Sequence, residues 1–92
     1  MKFIDAVLLG DAPLDSIYDY REAWDETGPE SGAFHEYIGL LWPEYAMWVE
    51  DATVLECIVM ARRANVLLSE YLKQRRGTDP RYDIYWDLCR RY

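Results

Sequence analysis

Apolar residues recur every three or four positions through most of this chain, and glycine or proline interrupts the pattern at short intervals. This spacing is typical of amphipathic helices, because 3.6 residues make one turn. No stretch alternates apolar and polar residues for long enough to predict a sheet. We therefore predict an all-α fold, a compact bundle of five to six helices, in a single domain that spans residues 1–92.

Start and stop signals divide the chain into these helices. Gly10 ends the first helix, and Asp11 and Pro13 precede the second. The predicted elements are helices at 2–9, 11–26, 34–40, 43–50, 52–74 and from Asp79–Pro80 onward, with a loop at 27–32. Residues 54–61 are apolar nearly all round, so we expect the long helix to be the buried central element.

The composition favours a folded chain outside the membrane. Half of the residues are apolar and 15% are aromatic, which provides enough apolar surface for a core. No segment reaches the roughly 20 apolar residues needed to span a bilayer. The first ten residues do not have the pattern of a signal peptide, so we expect a cytoplasmic protein that does not contact membranes.

Side chains suited to catalysis or metal binding are scarce. His35 is the one histidine, and Cys57 and Cys89 do not form a CxxC pair. We expect both cysteines to pack as small apolar groups, since an apolar setting keeps a thiol neutral. The chain has no glycine-rich phosphate loop and no calcium-binding loop spacing. The sequence therefore predicts no enzymatic activity, no catalytic residue, no cofactor and no metal site.

Negative charge is concentrated at the front of the chain. Residues 1–51 carry 12 acidic and 2 basic side chains, whereas residues 52–92 carry 5 acidic and 8 basic ones. Many of these acids lie on the outer face of the second predicted helix, namely Asp15, Asp19, Glu22, Asp25 and Glu26. The plain interpretation is a solvated face. The alternative is a recognition surface, because a strong field speeds encounters with a basic partner.

The centre of the chain resembles a helix-turn-helix of the bacterial repressor type, with Gly39 in the turn. The second helix offers Glu44, Glu50 and Asp51 but no basic residue. Phosphates beside the bases require positive charge, so this helix is badly matched to a DNA groove. We expect the motif to serve mainly to pack two short helices.

Two segments of this centre carry a resemblance to other proteins. Phe-His-Glu-Tyr-Ile-Gly-Leu at 34–40 precedes Trp-Pro-Glu-Tyr-Ala-Met-Trp-Val-Glu-Asp at 42–51, with Ile-Tyr-Asp-Tyr at 17–20 and Trp24 upstream. The pattern resembles that of small acidic bacterial and phage proteins of mobile elements and toxin–antitoxin-like loci. The resemblance covers roughly residues 5–63. It implies an antitoxin-like or phage-encoded inhibitor role and brings no catalytic residues with it.

The leading functional prediction is a protein-binding inhibitor or neutraliser, antitoxin-like or anti-CRISPR-like. It would occlude a basic surface on a toxin or a nucleic-acid-binding protein, with nucleic-acid mimicry as one route. The predicted contact residues are Asp15, Asp19, Glu22, Trp24, Asp25, Glu26, Trp42, Glu44 and Trp48. Core packing is the alternative for the three tryptophans.

Two further interpretations stay open. A self-associating structural or adaptor module, such as a homodimer, would bury the aromatic residues of the last helix, namely Tyr82, Tyr85, Trp86 and Tyr92. A helix-turn-helix DNA-binding regulator would use the arginine pairs at 62–63 and 75–76. Direct nucleic-acid binding is the weaker prediction, because a net charge of −7 repels phosphates.

Overall fold

The computed structural model describes residues 1–28 and 32–92, and all regular structure among them is helical. In chain order the elements are α1 (Phe3–Leu8), a first 3₁₀ segment (Leu14–Ser16), α2 (Ile17–Thr27), α3 (Phe34–Ile38), α4 (Trp42–Glu50), a second 3₁₀ segment (Ala52–Val54), α5 (Leu55–Arg63), α6 (Leu68–Gln74) and α7 (Pro80–Cys89). The all-α prediction is confirmed. The described residues form seven α-helices, more than the five to six predicted.

These helices belong to two units, Met1–Trp42 and Pro43–Tyr92. In the first unit α1 packs against α3, and α2 also packs against α3. In the second unit α6 packs against both α5 and α7. The loop predicted at 27–32 lies partly outside the described residues, since 29–31 are not among them. No helix within 1–28 or 32–92 has the length and apolar character that crossing a bilayer requires.

Local signals place the end of α1 where the sequence predicts it. Gly10 has a φ of 79°, in the left-handed region that favours glycine. The Asp11 N–H donates to the Ala6 carbonyl at 2.9 Å, and the Gly10 N–H donates to the Val7 carbonyl at 3.0 Å. This pair of hydrogen bonds is a Schellman cap, which satisfies carbonyls left open at a helix end.

The turn after α3 uses the same cap but is far more crowded. Gly39 has a φ of 86°, and its N–H donates to the Glu36 carbonyl. A β-carbon at Gly39 would lie 2.7 Å from Cγ2 of Ile4, a side chain that is itself buried in α1. Glycine is therefore required here for two reasons, the left-handed backbone and the close approach of α1.

We expect Gly39→Ala to lower the free energy of unfolding by at least about 2 kcal/mol. A left-handed backbone costs a non-glycine residue about 1 kcal/mol, and forcing an extra methyl group against a buried neighbour adds a similar amount. Gly10→Ala is the matched control, because Gly10 has a similar φ and no atom within 4 Å of the added carbon. Urea denaturation of both variants checks this. Equal losses would contradict the close contact with Ile4.

The predicted helix at 52–74 is wrong as a single element. It is divided into the second 3₁₀ segment, α5 and α6. Asn65 ends α5 with a φ of 56°, and the Val66 N–H donates to the Ala61 carbonyl at 3.1 Å in another Schellman cap. Asparagine is among the few side chains that tolerate this conformation. The break lets α6 pack back against α5, which a continuous helix could not do.

Aspartate side chains cap two elements of this unit. Asp79 caps α7, since its side chain accepts a hydrogen bond from the Arg81 N–H, and Pro80 occupies the first turn. Asp51 likewise caps the second 3₁₀ segment. The apolar stretch is indeed largely buried, at Val54, Leu55, Cys57, Ile58, Val59 and Ala61. A helix apolar on most sides is buried on most sides, as its sequence predicts.

Candidate protein-interaction surface

The outward side of α2 carries the acids that the sequence analysis singled out. Asp19, Glu22, Asp25 and Glu26 are exposed on α2, and Asp15 is exposed in the 3₁₀ segment before it. Positions three or four apart lie on the same side of a helix, so these carboxylates form a continuous strip. We call Asp15, Asp19, Glu22, Asp25 and Glu26 the acidic face.

The opposite side of α2 is held by packing within the first unit. Ile17 is buried, and the Tyr20 ring meets the Phe3 ring edge-on with centroids 5.5 Å apart. The Tyr20 ring also lies 6.5 Å from the Tyr37 ring of α3. Aromatic pairs in this geometry contribute beyond the area that they bury. The acidic face is therefore presented by a helix that is anchored on its other side.

Trp24 contributes to the packing within the first unit more than to the acidic face. It is half-buried, its indole N–H donates to the Gly32 carbonyl at 3.0 Å, and its ring lies 5.4 Å from the Phe34 ring. Buried tryptophans usually find a partner for this N–H, as Trp24 does. The geometry favours the core-packing alternative for Trp24 over a contact with a partner.

One cation modifies the acidic face. Arg21 lies 3.7 Å from the Asp25 carboxylate, and its guanidinium stacks 5.3 Å from the centre of the Phe34 ring. Within residues 1–28 and 32–92, Asp25 is the one member of the acidic face in an ion pair.

Residues 1–42 contain nine acidic and two basic side chains, and residues 43–92 contain eight of each. The first unit therefore carries the whole net charge of −7.

Tyr18 lies among the carboxylates of the acidic face, although it is not one of the contact residues predicted from the sequence. Its side chain is 57% exposed, and it is one turn from Glu22 and two turns from Asp25. Its spacing of three to four residues from Leu14 and Arg21 makes it look like a core position. Its angular position on α2 does predict exposure, because Tyr18 lies about 100° around the helix axis from Ile17, which is buried.

Glu44, predicted to contact a partner, is not on the surface. The residue is 5% exposed, and its carboxylate forms a two-point ion pair with Arg62. Arg62 Nη2 lies 2.6 Å from Oε1, and Arg62 Nε lies 3.1 Å from Oε2. Burial of a carboxylate is tolerated here because a guanidinium matches it in charge and geometry. This corrects the expectation that Glu44 faces solvent on α4.

The other two tryptophans differ in exposure. Trp42 is exposed, and its ring meets the His35 ring edge-on at 5.6 Å. Trp48 is half-buried, with its ring 6.0 Å from that of Tyr45. Trp42 therefore presents the larger apolar surface to solvent, whereas Trp48 is largely covered by its surroundings.

Most of the predicted self-association residues, which lie on α7 and at Tyr92 after it, make contacts within the second unit. Tyr85 is 4% exposed and shares a 2.6 Å hydrogen bond with Thr53. Tyr82 and Trp86 are half-buried. Tyr92 is exposed, and its hydroxyl donates to Glu50 at 2.6 Å. Tyr85 thus cannot reach a second copy without leaving its site, which corrects the prediction that this residue self-associates.

Neither cysteine forms a disulfide in the described chain. Burial raises the pKa of the Cys57 thiol from 9.0 to about 11, and the nearby charge of Glu56 adds to the effect. Burial also raises the pKa of Cys89. Since the thiolate is the reactive form, Cys57 has the character of an inert packing residue.

We expect the Cys57 thiolate to appear near pH 11 in the difference between the ultraviolet titrations of a Cys89→Ala variant and a Cys57→Ala/Cys89→Ala variant, because the eight tyrosines absorb in both. A raised pKa favours the neutral thiol in the folded state, so the associated stability is present below about pH 9 and is lost as the pH rises toward about 11. In denaturation experiments, the Cys57→Ala variant should not show this part of the loss of stability at alkaline pH. A native midpoint near 9 would show that the thiol is solvated.

Within the described residues, no three histidine, cysteine, aspartate or glutamate side chains come together in a way that could hold a metal ion. No protein-family model, curated protein or solved structure matches this chain. The candidate site is the surface of α2, an anchored helix with an exposed strip of carboxylates around one exposed aromatic ring.

Proposed function

We propose that this chain is a protein-binding inhibitor or neutraliser whose acidic face covers a basic surface on its target. The observation that carries the proposal is the exposed Tyr18 ring among the carboxylates of α2. Exposure alone is ordinary, since Trp42 and Ile84 are exposed to the same degree, and the support for the proposal is the position of this ring among the carboxylates. A docking face combines charge at its rim with an aromatic anchor at its centre.

The two components would contribute differently. Exposed ion pairs each contribute only about 0.2–1 kcal/mol, so the carboxylates alone would give weak binding. Their combined field instead raises the rate of encounter and excludes acidic partners. The tyrosine ring adds affinity, because aromatic residues are enriched among the contacts that dominate binding energy. Arginine or lysine on the target would meet the acids and stack on the ring.

Nucleic-acid mimicry is the narrower form of this proposal. Asp25 is paired with Arg21, and the other three carboxylates of α2, Asp19, Glu22 and Glu26, span about 10 Å of helix, roughly one charge every 5 Å. One strand of DNA carries a phosphate about every 3.4 Å along its axis. These carboxylates are spaced more widely than the phosphates of a nucleic-acid strand. They therefore match the arginine and lysine side chains of a protein-binding surface better than those of a channel that binds a duplex. Competition between the chain and DNA for the purified target tests this form.

A photo-cross-linking amino acid at position 18 tests the main proposal. Installed in place of Tyr18 and irradiated in a lysate of the native host, it should link to a specific protein with a basic surface, and the yield should fall steeply with salt. Ile84 on α7 is the matched control position, with a similar exposure of 58%. A target linked from position 84 and not from position 18, or a yield that salt does not change, would contradict the proposal.

A further inference from the structure

A small cavity in the unit Pro43–Tyr92 plays no part in the proposal above. Its volume is about 100 Å³, and the second 3₁₀ segment, α5, α6 and α7 all contribute to its lining. Pockets for drug-sized ligands are about 300–1,000 Å³. The cavity is too small for a nucleotide or an organic cofactor, and it has room for a molecule with only a few non-hydrogen atoms.

One side of the cavity is a chain of hydrogen bonds with a fixed direction. Thr53 Oγ1 bonds to the Asp51 carboxylate and, at 2.6 Å, to the Tyr85 hydroxyl. A carboxylate only accepts, so Thr53 donates to Asp51 and must accept from Tyr85. The hydroxyl hydrogen of Tyr85 is therefore engaged in the bond to Thr53. Its oxygen can offer only lone pairs to a molecule in the cavity.

Tyr71 and Tyr82 add two further phenols to the lining. Burial raises the pKa of Tyr71. A phenol hydroxyl can both donate and accept a hydrogen bond, so the half-buried Tyr82 can donate its hydrogen to a ligand in the cavity.

Opposite charges complete the lining. Arg81 and Glu56 both border the cavity and are themselves exposed at its rim. Arg81 is oriented by Asp79, which lies 3.3 Å from its guanidinium. In the described part of the chain Glu56 forms no hydrogen bond or ion pair through its side chain. The two rim charges therefore do not neutralise each other by direct contact.

We propose that this cavity binds a small zwitterion, a free α-amino acid of the size of glycine or alanine. Its carboxylate would accept hydrogen bonds from Arg81 and Tyr82, and its ammonium group would donate to Glu56 and the Tyr85 oxygen. Two donors and two acceptors thus match the two ends of one molecule. A simple anion would make no contact with Glu56, and a simple cation would make none with Arg81, so each would form only half of these interactions.

An NMR titration of the ¹⁵N-labelled full chain tests this, with alanine, acetate and methylammonium as separate probes. We expect alanine to shift the amide signals of the second 3₁₀ segment, α5 and α7, and to bind about tenfold or more tightly than either half-ligand. Glu56→Gln and Arg81→Gln should each weaken alanine binding by a similar factor. Glu70→Gln and Arg90→Gln, which change exposed residues of the same unit that do not line the cavity, should not.

Three results would overturn the inference. These are the absence of a saturable shift with alanine, binding of acetate as tight as that of alanine, and binding of alanine by the rim variants as tight as by the controls. All four substituted side chains are exposed, so the variants should fold, and their spectra without ligand verify this. The inference is independent of the acidic face, because neither α2 nor a protein target enters the experiment.

Discussion

Arg62→Ala should lower the free energy of unfolding by about 3 kcal/mol, because it removes the guanidinium that is paired with the buried Glu44 carboxylate. The two-point geometry, at 2.6 and 3.1 Å, means that two charge-assisted hydrogen bonds are lost together. Urea denaturation at neutral pH measures the change as a lower midpoint at an unchanged slope.

Two controls separate the ion pair from a general effect of removing an arginine. Arg90→Ala, at an exposed position of the same unit, should change stability by less than about 0.5 kcal/mol. The double variant Glu44→Met/Arg62→Met should recover most of the loss, since apolar residues of similar volume often replace a buried pair at little cost. Equal losses for Arg62→Ala and Arg90→Ala would mean that Glu44 is solvated and not paired as described.

Reversing charge on the acidic face should weaken association with the target about 100-fold. Glu22→Lys/Glu26→Lys replaces two exposed carboxylates with cations, so attraction to a basic surface becomes repulsion. A 100-fold change corresponds to about 2.7 kcal/mol, a plausible sum for two reversed pairs. Affinity is measured by calorimetry with the target that the cross-link at position 18 identifies.

Glu70→Lys/Asp87→Lys is the matched control for this experiment. It changes the net charge by the same amount, from −7 to −3, through exposed helical residues of the other unit. We expect it to reduce the rate of association slightly and to leave the dissociation rate unchanged. If both double variants lose affinity equally, net charge alone governs binding and the acidic face has no specific role.

Much of the fold could be predicted because the signals are local. Gly10 and Gly39 end helices through their own backbone conformation, and Asp51 and Asp79 cap the segments that follow them. The break at Asn65 was not predicted, because asparagine only tolerates the left-handed backbone conformation, whereas glycine favours it. Whether the helix continues there depends on what α6 packs against.

The acidic face was predictable for a similar reason. Carboxylates at helical spacing avoid burial, so their periodic placement alone predicts that Asp19, Glu22 and Glu26 are exposed. Tyr18, Glu44 and Tyr85 were not predictable in this way. A tyrosine is amphipathic and a glutamate can be buried beside an arginine, so residue type does not decide where either lies.

The sequence by itself determined the all-α class, the ends of most helices and the charge of the first unit, because these depend on residues adjacent in the chain. Only the tertiary structure decided that Arg62 meets Glu44, that Thr53 meets Tyr85 and that Glu56 and Arg81 border one cavity. Such pairs lie 18 or more residues apart. Their contacts depend on how helices pack against one another, which no local pattern of residues specifies.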